Sequence, residues 1–150
     1  MSFIADRVLS QTESGLAGEY IAAASVVARG WRVAMAQQDA VDLVAWHPKT
    51  SEILRIQVKS CQSSRQDSDG KKRLRVMFHT GIGGTKRQPT KDDYDILACV
   101  ASEQRTVWFL PVTEIEFRKY TKRTAFFDDP IIERRSWAHA LDVLGVFDGR

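Results

Sequence analysis

Glu19, Asp42, Gln57 and Lys59 are the residues whose types and order could do chemistry together. Asp42 opens the apolar run Asp42-Leu43-Val44, and aspartate is disfavoured in strands, so its place there needs a reason. Gln57-Val58-Lys59 sets an amide and an ammonium two residues apart, on one side of an extended chain. Hydrolysis of a phosphodiester at neutral pH needs a hard cation to neutralise the non-bridging oxygens and to acidify water. Magnesium suits that task, bound by one or two carboxylates plus waters, and manganese can substitute. In such a site Asp42 is the main carboxylate ligand, and the Gln57 side-chain carbonyl and the Val58 backbone carbonyl are neutral ligands. Glu19 reaches in as a ligand or through a cation-bound water. Lys59 orients the attacking water or neutralises charge developing at phosphorus. Each signal also has a plainer reading. Glu19 could pair with a lysine, and any strand exposed on one side shows a polar-x-polar pattern.

Positioning these groups falls to one helix and a strand pair. Residues 12–29 read as a helix, with Ser10 and Glu13 as a capping box. Leu16, Tyr20, Ala23 and Val27 recur at helical spacing as its buried stripe, with Glu19 at the border, and Gly30 follows as a left-handed C-cap. A strand over 31–35 and a polar turn over 37–39 come next. Residues 41–46 and 53–60 form the clearest strand pair, joined by His47-Pro48-Lys49-Thr50-Ser51-Glu52. A hairpin symmetric about Lys49-Thr50 sets Asp42 directly across from Gln57. Further strands are expected over 74–78, 96–101 and 106–110, with a loop over 62–72 and a terminal helix over 137–146. The glycine-rich stretch Thr80-Gly81-Ile82-Gly83-Gly84-Thr85 lacks the Gly-Lys-Ser/Thr order of a phosphate loop, and Pro89 follows, so a nucleotide cofactor is excluded. The outline is α/β in a single domain over 1–150.

Charge is placed unevenly. Residues 65–91 hold Arg65, Lys71, Lys72, Arg73, Arg75, Lys86, Arg87 and Lys91 against only Asp67 and Asp69. That stretch carries +6 in a chain whose net charge is +3, so the remainder is acidic. Clustering of this kind suits a path of phosphates, although solvated basic loops look the same. A second run holds Arg118, Lys119, Lys122 and Arg123. Cys61 and Cys99 make neither a disulfide framework nor a zinc ribbon. No apolar run approaches a membrane span, and the first ten residues, with Asp6 and Arg7, are not a signal peptide, so a cytoplasmic protein is expected. An RNA-binding surface would need exposed rings, whereas Trp31, Trp46 and Trp108 are expected in or beside core strands.

The order of these elements resembles the PD-(D/E)XK nuclease superfamily. The resemblance runs through Gly18-Glu19-Tyr20, Arg29-Gly30-Trp31-Arg32-Val33, Asp42-Leu43-Val44 and Arg55-Ile56-Gln57-Val58-Lys59-Ser60. It is nearest to group I intron-associated (homing) endonucleases, to which Tyr94-Asp95-Ile96-Leu97-Ala98 and Val107-Trp108-Phe109-Leu110-Pro111-Val112 are also similar, and more distant from Holliday junction resolvases. It covers about residues 15–115. It implies a restriction-endonuclease-like core, with the N-terminal helix packed on a central mixed β-sheet and short C-terminal helices. It makes Asp42 the motif acid, Gln57 the second motif position, Lys59 the motif lysine and Glu19 the helix acid. The implied activity is a magnesium-dependent endonuclease cutting duplex DNA at specific sites, in the cytoplasm of a bacterial, archaeal or phage-infected cell. The alternatives are a junction resolvase and a DNA-binding protein that no longer cuts. Gln57 stands where most of the superfamily has Glu or Asp, a form that intron-associated members carry. Cutting both strands of a duplex calls for a homodimer or homotetramer.

Overall fold

The structure is a computed structural model and describes residues 6–62, 65, 66 and 74–149. Helix α1 spans Gln11–Ala28, with both hydrogen bonds of the Ser10/Glu13 capping box formed and Gly30 in the left-handed region at φ +92°. Then come β1 (Arg32–Gln38), β2 (Val41–Trp46), β3 (Ile53–Cys61), β4 (Arg65–Gln66), β5 (Leu74–His79), β6 (Ile96–Ala101) and β7 (Thr106–Pro111). A 3-10 turn, β8 (Lys119–Arg123), a second 3-10 turn and helix α2 (Ile131–Leu144) complete the chain. Five strands form a central mixed sheet in the order β1-β2-β3-β6-β7, with β3 and β6 parallel and the other neighbours antiparallel.

Both faces of that sheet are covered. Ala22 and Val26 of α1 and Trp137, Ala140 and Leu141 of α2 pack with Leu43, Leu54, Ile56 and Ala98 on one face. On the other, Leu97 and Cys99 pack against Val76, Phe78, Tyr94 and Phe127. That second layer includes a small sheet, β4-β5-β8, which the sequence pattern did not suggest. Its outer strand β8 comes from the basic run 118–123, and β4 lies inside the stretch expected to be loop. The C-terminal region holds one 14-residue helix that begins six residues before the expected start.

The buried stripe of α1 is not the expected one. Gly18, Ala22, Ser25 and Val26 face the sheet, while Leu16, Tyr20 and Val27 are exposed, Tyr20 at 59%. Both sets fit the helical period, so periodicity cannot choose between them. Size does: a Cβ on Gly18 would lie 2.6 Å from the Ser60 Cβ, and only the small-residue face can come this near to β3. Trp46 is likewise not core, being 38% exposed at the end of β2, whereas Trp31 is buried edge-on to Trp137. No helix among the described residues is long and apolar enough to cross a membrane.

Candidate active site

The hairpin of β2 and β3 sets the geometry. Its register, Leu43 opposite Ile56 through Trp46 opposite Ile53, is symmetric about Lys49-Thr50. One step further places Asp42 across from Gln57. Leu43, Ala45, Leu54 and Ile56 all face the helices, so Asp42, Gln57 and Lys59 share the opposite face by alternation. Beyond Leu43 a side chain replaces the backbone ladder: the Val58 N–H donates to the Asp42 carboxylate at 2.7 Å. The N–H and C=O of a residue leave a strand on the same edge, so the Val58 carbonyl also leaves β3 on the side of Asp42.

Glu19 arrives from α1. The contact of Gly18 with Ser60, and the hydrogen bond from Ser60 Oγ to the Ser14 carbonyl at 3.4 Å, dock this part of the helix on the end of β3. The next residue, Glu19, then meets Asp42 closely enough to share a hydrogen bond. Burial pushes the Glu19 carboxyl above its ordinary range, and the neighbouring Asp42 charge pushes it further. Burial also raises Asp42, offset by the Val58 N–H and by the charge of Lys59. Two carboxyls can share a hydrogen bond only while one carries a proton. A cation between them would take the place of that proton.

Gln57 adds a neutral oxygen. Its Oε1 is buried and has no hydrogen-bond partner among the described residues. An unmatched buried carbonyl costs roughly 1–3 kcal/mol, which coordination to a cation would remove. The donor set of two carboxylates, an amide oxygen and an adjacent backbone carbonyl is all oxygen, as a hard cation requires. It contains no His or Cys, and no group of three or more His, Cys, Asp or Glu suited to a metal occurs among the described residues. Magnesium, content with few protein ligands and several waters, fits such a site better than zinc.

Gln57 and Lys59 also line a cleft of about 590 Å³. Gly81, Ile82, Gly83, Lys86 and Arg87 of the turn at 81–87 also line it, with Asp39, Ala40 and Asp93. Lys86, which is exposed, thus shares the cleft with Lys59. The remaining basic residues scatter. Arg87 is already bound bidentately to Asp93 at 2.6 and 2.8 Å, which holds that carboxyl down at about 2. Lys91 is exposed, and its carbonyl accepts from Arg55. Arg75 is half-buried in the small sheet opposite Arg123. Lys71, Lys72 and Arg73 lie outside the described residues, and Arg65 is described through its backbone alone. Asp93 escaped the sequence reading. The signal was there in Thr90-x-x-Asp93, a self-capping turn in which the Thr90 N–H donates to Asp93 at 2.8 Å.

Three comparisons bear on this arrangement. A sequence model of the PD-(D/E)XK endonuclease family matches residues 9–138. None of the curated proteins compared matches the sequence. Among solved structures, that of a bacterial homing endonuclease, I-Ssp6803I, aligns with a TM-score of 0.59 at 17% identity, covering 87% of this chain and 99% of that one. At that identity the likeness is one of fold.

Proposed function

We propose that this chain, which belongs to the PD-(D/E)XK endonuclease family, hydrolyses DNA phosphodiester bonds with magnesium bound at the open end of the β2–β3 hairpin, at specific sites in duplex DNA. The observation that carries the reading is the meeting of two carboxyls, Glu19 and Asp42, the second bound to the Val58 N–H next to Gln57, whose Oε1 is unmatched. In the same reading Asp42, Gln57 Oε1 and the Val58 carbonyl hold the ion, and Glu19 joins directly or through a water. Bound there, magnesium supplies a Lewis acid for the phosphate oxygens and an acidified water. Lys59, which already lowers the Asp42 pKa by its charge, holds the attacking water or neutralises the oxygens that gain charge in the transition state. Manganese serves in place of magnesium. The homing-endonuclease fold of the structural neighbour supports duplex DNA as substrate, and cleavage of both strands supports action as at least a homodimer.

The deciding experiment is incubation of the purified protein with a random-sequence plasmid library, linear duplex and a four-way junction, with and without magnesium. Magnesium-dependent breaks that recur at defined sites in the duplex support the proposal. Preference for the junction replaces it with a resolvase. Binding without breaks on any substrate replaces it with a non-cleaving DNA-binding protein, the outcome that the exchange of an acidic residue for Gln57 would explain.

A further inference from the structure

We propose that the turn at 81–87 is a preformed second wall of the substrate cleft, in which Lys86 holds a backbone phosphate beside the scissile one and Arg87 acts as its brace and not as a phosphate contact. The proposal rests on the nuclease reading above. Three observations carry it.

First, the turn is built to a fixed shape. Ile82 and Arg87 exchange backbone hydrogen bonds at 2.9 and 3.1 Å, and the Lys86 N–H donates to the Gly83 carbonyl at 3.2 Å. A Cβ on Gly81 would lie 2.9 Å from the Lys86 Cβ and 3.0 Å from its Cα, so only glycine permits this closure. Lys86 itself sits at φ +53°, a conformation that costs a lysine energy and is kept only when its surroundings enforce it.

Second, the base of the turn is anchored on both sides. The Thr80 N–H donates to the Arg118 carbonyl at 2.8 Å and its hydroxyl to the Phe117 carbonyl at 2.6 Å. The Gln88 amide donates to the Ile115 carbonyl. Arg87 locks onto Asp93 with both arms. An arginine so engaged has its charge matched within the protein and little left for a phosphate.

Third, the turn faces the site. Gly81, Ile82, Gly83, Lys86 and the paired Arg87 and Asp93 line the same cleft as Gln57 and Lys59. The N–H groups of Ile82, Lys86 and Arg87 are consumed within the turn, and the charged group it offers to an anion without a carboxylate already on it is the Lys86 ammonium.

The test is the affinity of a fluorescently labelled mixed-sequence DNA duplex, measured by anisotropy across a salt series in calcium so that no cleavage intervenes. Lys86→Gln is expected to lower the slope of log affinity against log salt by about 0.9, one phosphate contact, and Lys86→Arg to restore it. Asp93→Asn is expected to weaken binding severalfold although it makes the protein more positive, and Arg87→Gln to weaken it to a similar degree. An unchanged slope in Lys86→Gln overturns the contact. Tighter binding in Asp93→Asn overturns the brace, because a released Arg87 would then be the better phosphate ligand. Cleavage at the normal rate by Lys59→Ala is a separate failure, one of the nuclease reading itself.

Discussion

Two sets of carboxylates a few residues from one cleft have opposite electrostatics. Along 87–95 two acids each have a guanidinium: Asp93 is gripped by Arg87, and Asp95 accepts from the backbone N–H of Arg55 at 2.7 Å and from its side chain at 3.3 and 3.4 Å. The Asp93 carboxyl falls to about 2. At the hairpin mouth, Glu19 and Asp42 are raised instead and lean on each other, with one lysine nearby. The first set is electrostatically complete and fastens the chain between β5 and β6. The second is short of positive charge, and beside it the Gln57 oxygen is short of a donor. Sites that must accept a cation are built deficient in this way, at a cost to the stability of the empty protein.

Replacing one acid from each set tests the contrast most directly. Asp42→Asn and Lys59→Ala are each expected to reduce single-turnover cleavage by at least ~10²–10³-fold, the scale of losing one group that stabilises transition-state charge. Asp93→Asn is expected to keep the chemical step, losing affinity instead. Comparable rate losses in the two acid variants would erase the distinction between the sets.

Cation binding is the next largest effect. Manganese at ~100 times its dissociation constant should stabilise the wild type by about 2.7 kcal/mol, a rise of several degrees in melting temperature. Glu19→Gln should blunt the rise and Asp42→Asn remove it. A rise that survives Asp42→Asn would place the ion elsewhere.

Gly18→Ala probes how Glu19 is delivered. Its new Cβ would meet the Ser60 Cβ at 2.6 Å, an atom fixed to the β3 backbone, so α1 must shift. The expected cost is about 1–3 kcal/mol in denaturant melts, together with weaker manganese binding. Normal manganese affinity in a destabilised Gly18→Ala protein would show that Glu19 is not positioned through this contact.

The pH dependence of stability without metal is the smallest effect, and it differs in sign between the two regions. Glu19 and Asp42 have raised pKa values in the folded state, so the folded protein binds more protons than the unfolded chain in that range. Their contribution is most favourable below the ordinary carboxylate pKa and is lost as pH rises through the raised values. Asp93 is depressed, so its contribution is present above the ordinary aspartate pKa near 4 and is lost as pH falls towards about 2. Melting in chelator should therefore improve in Asp42→Asn at neutral pH and become less acid-sensitive in Asp93→Asn. The Asp93 effect is small because the Arg87 side chain is half-exposed.

Local pattern and short-range register were enough to specify much of this protein. The capping box, the strands on either side of Lys49-Thr50, the symmetry of the hairpin they form, and the strand pair 96–101 and 106–110 follow from alternation, turn symmetry and the order of the elements. Tertiary structure decided the rest. An α1 apolar on several sides could turn any of them inward, and only the approach of Gly18 to Ser60 picks one. The small sheet joins 65–66, 74–79 and 119–123 across long stretches of chain, pairings that no local period encodes. Charge counting could not tell Arg87 from Lys86, because a partner six residues away in sequence neutralises one and not its neighbour. Nor could composition show that the Gln57 oxygen is unmatched. That is a property of everything around it, and it exists only once the chain has folded.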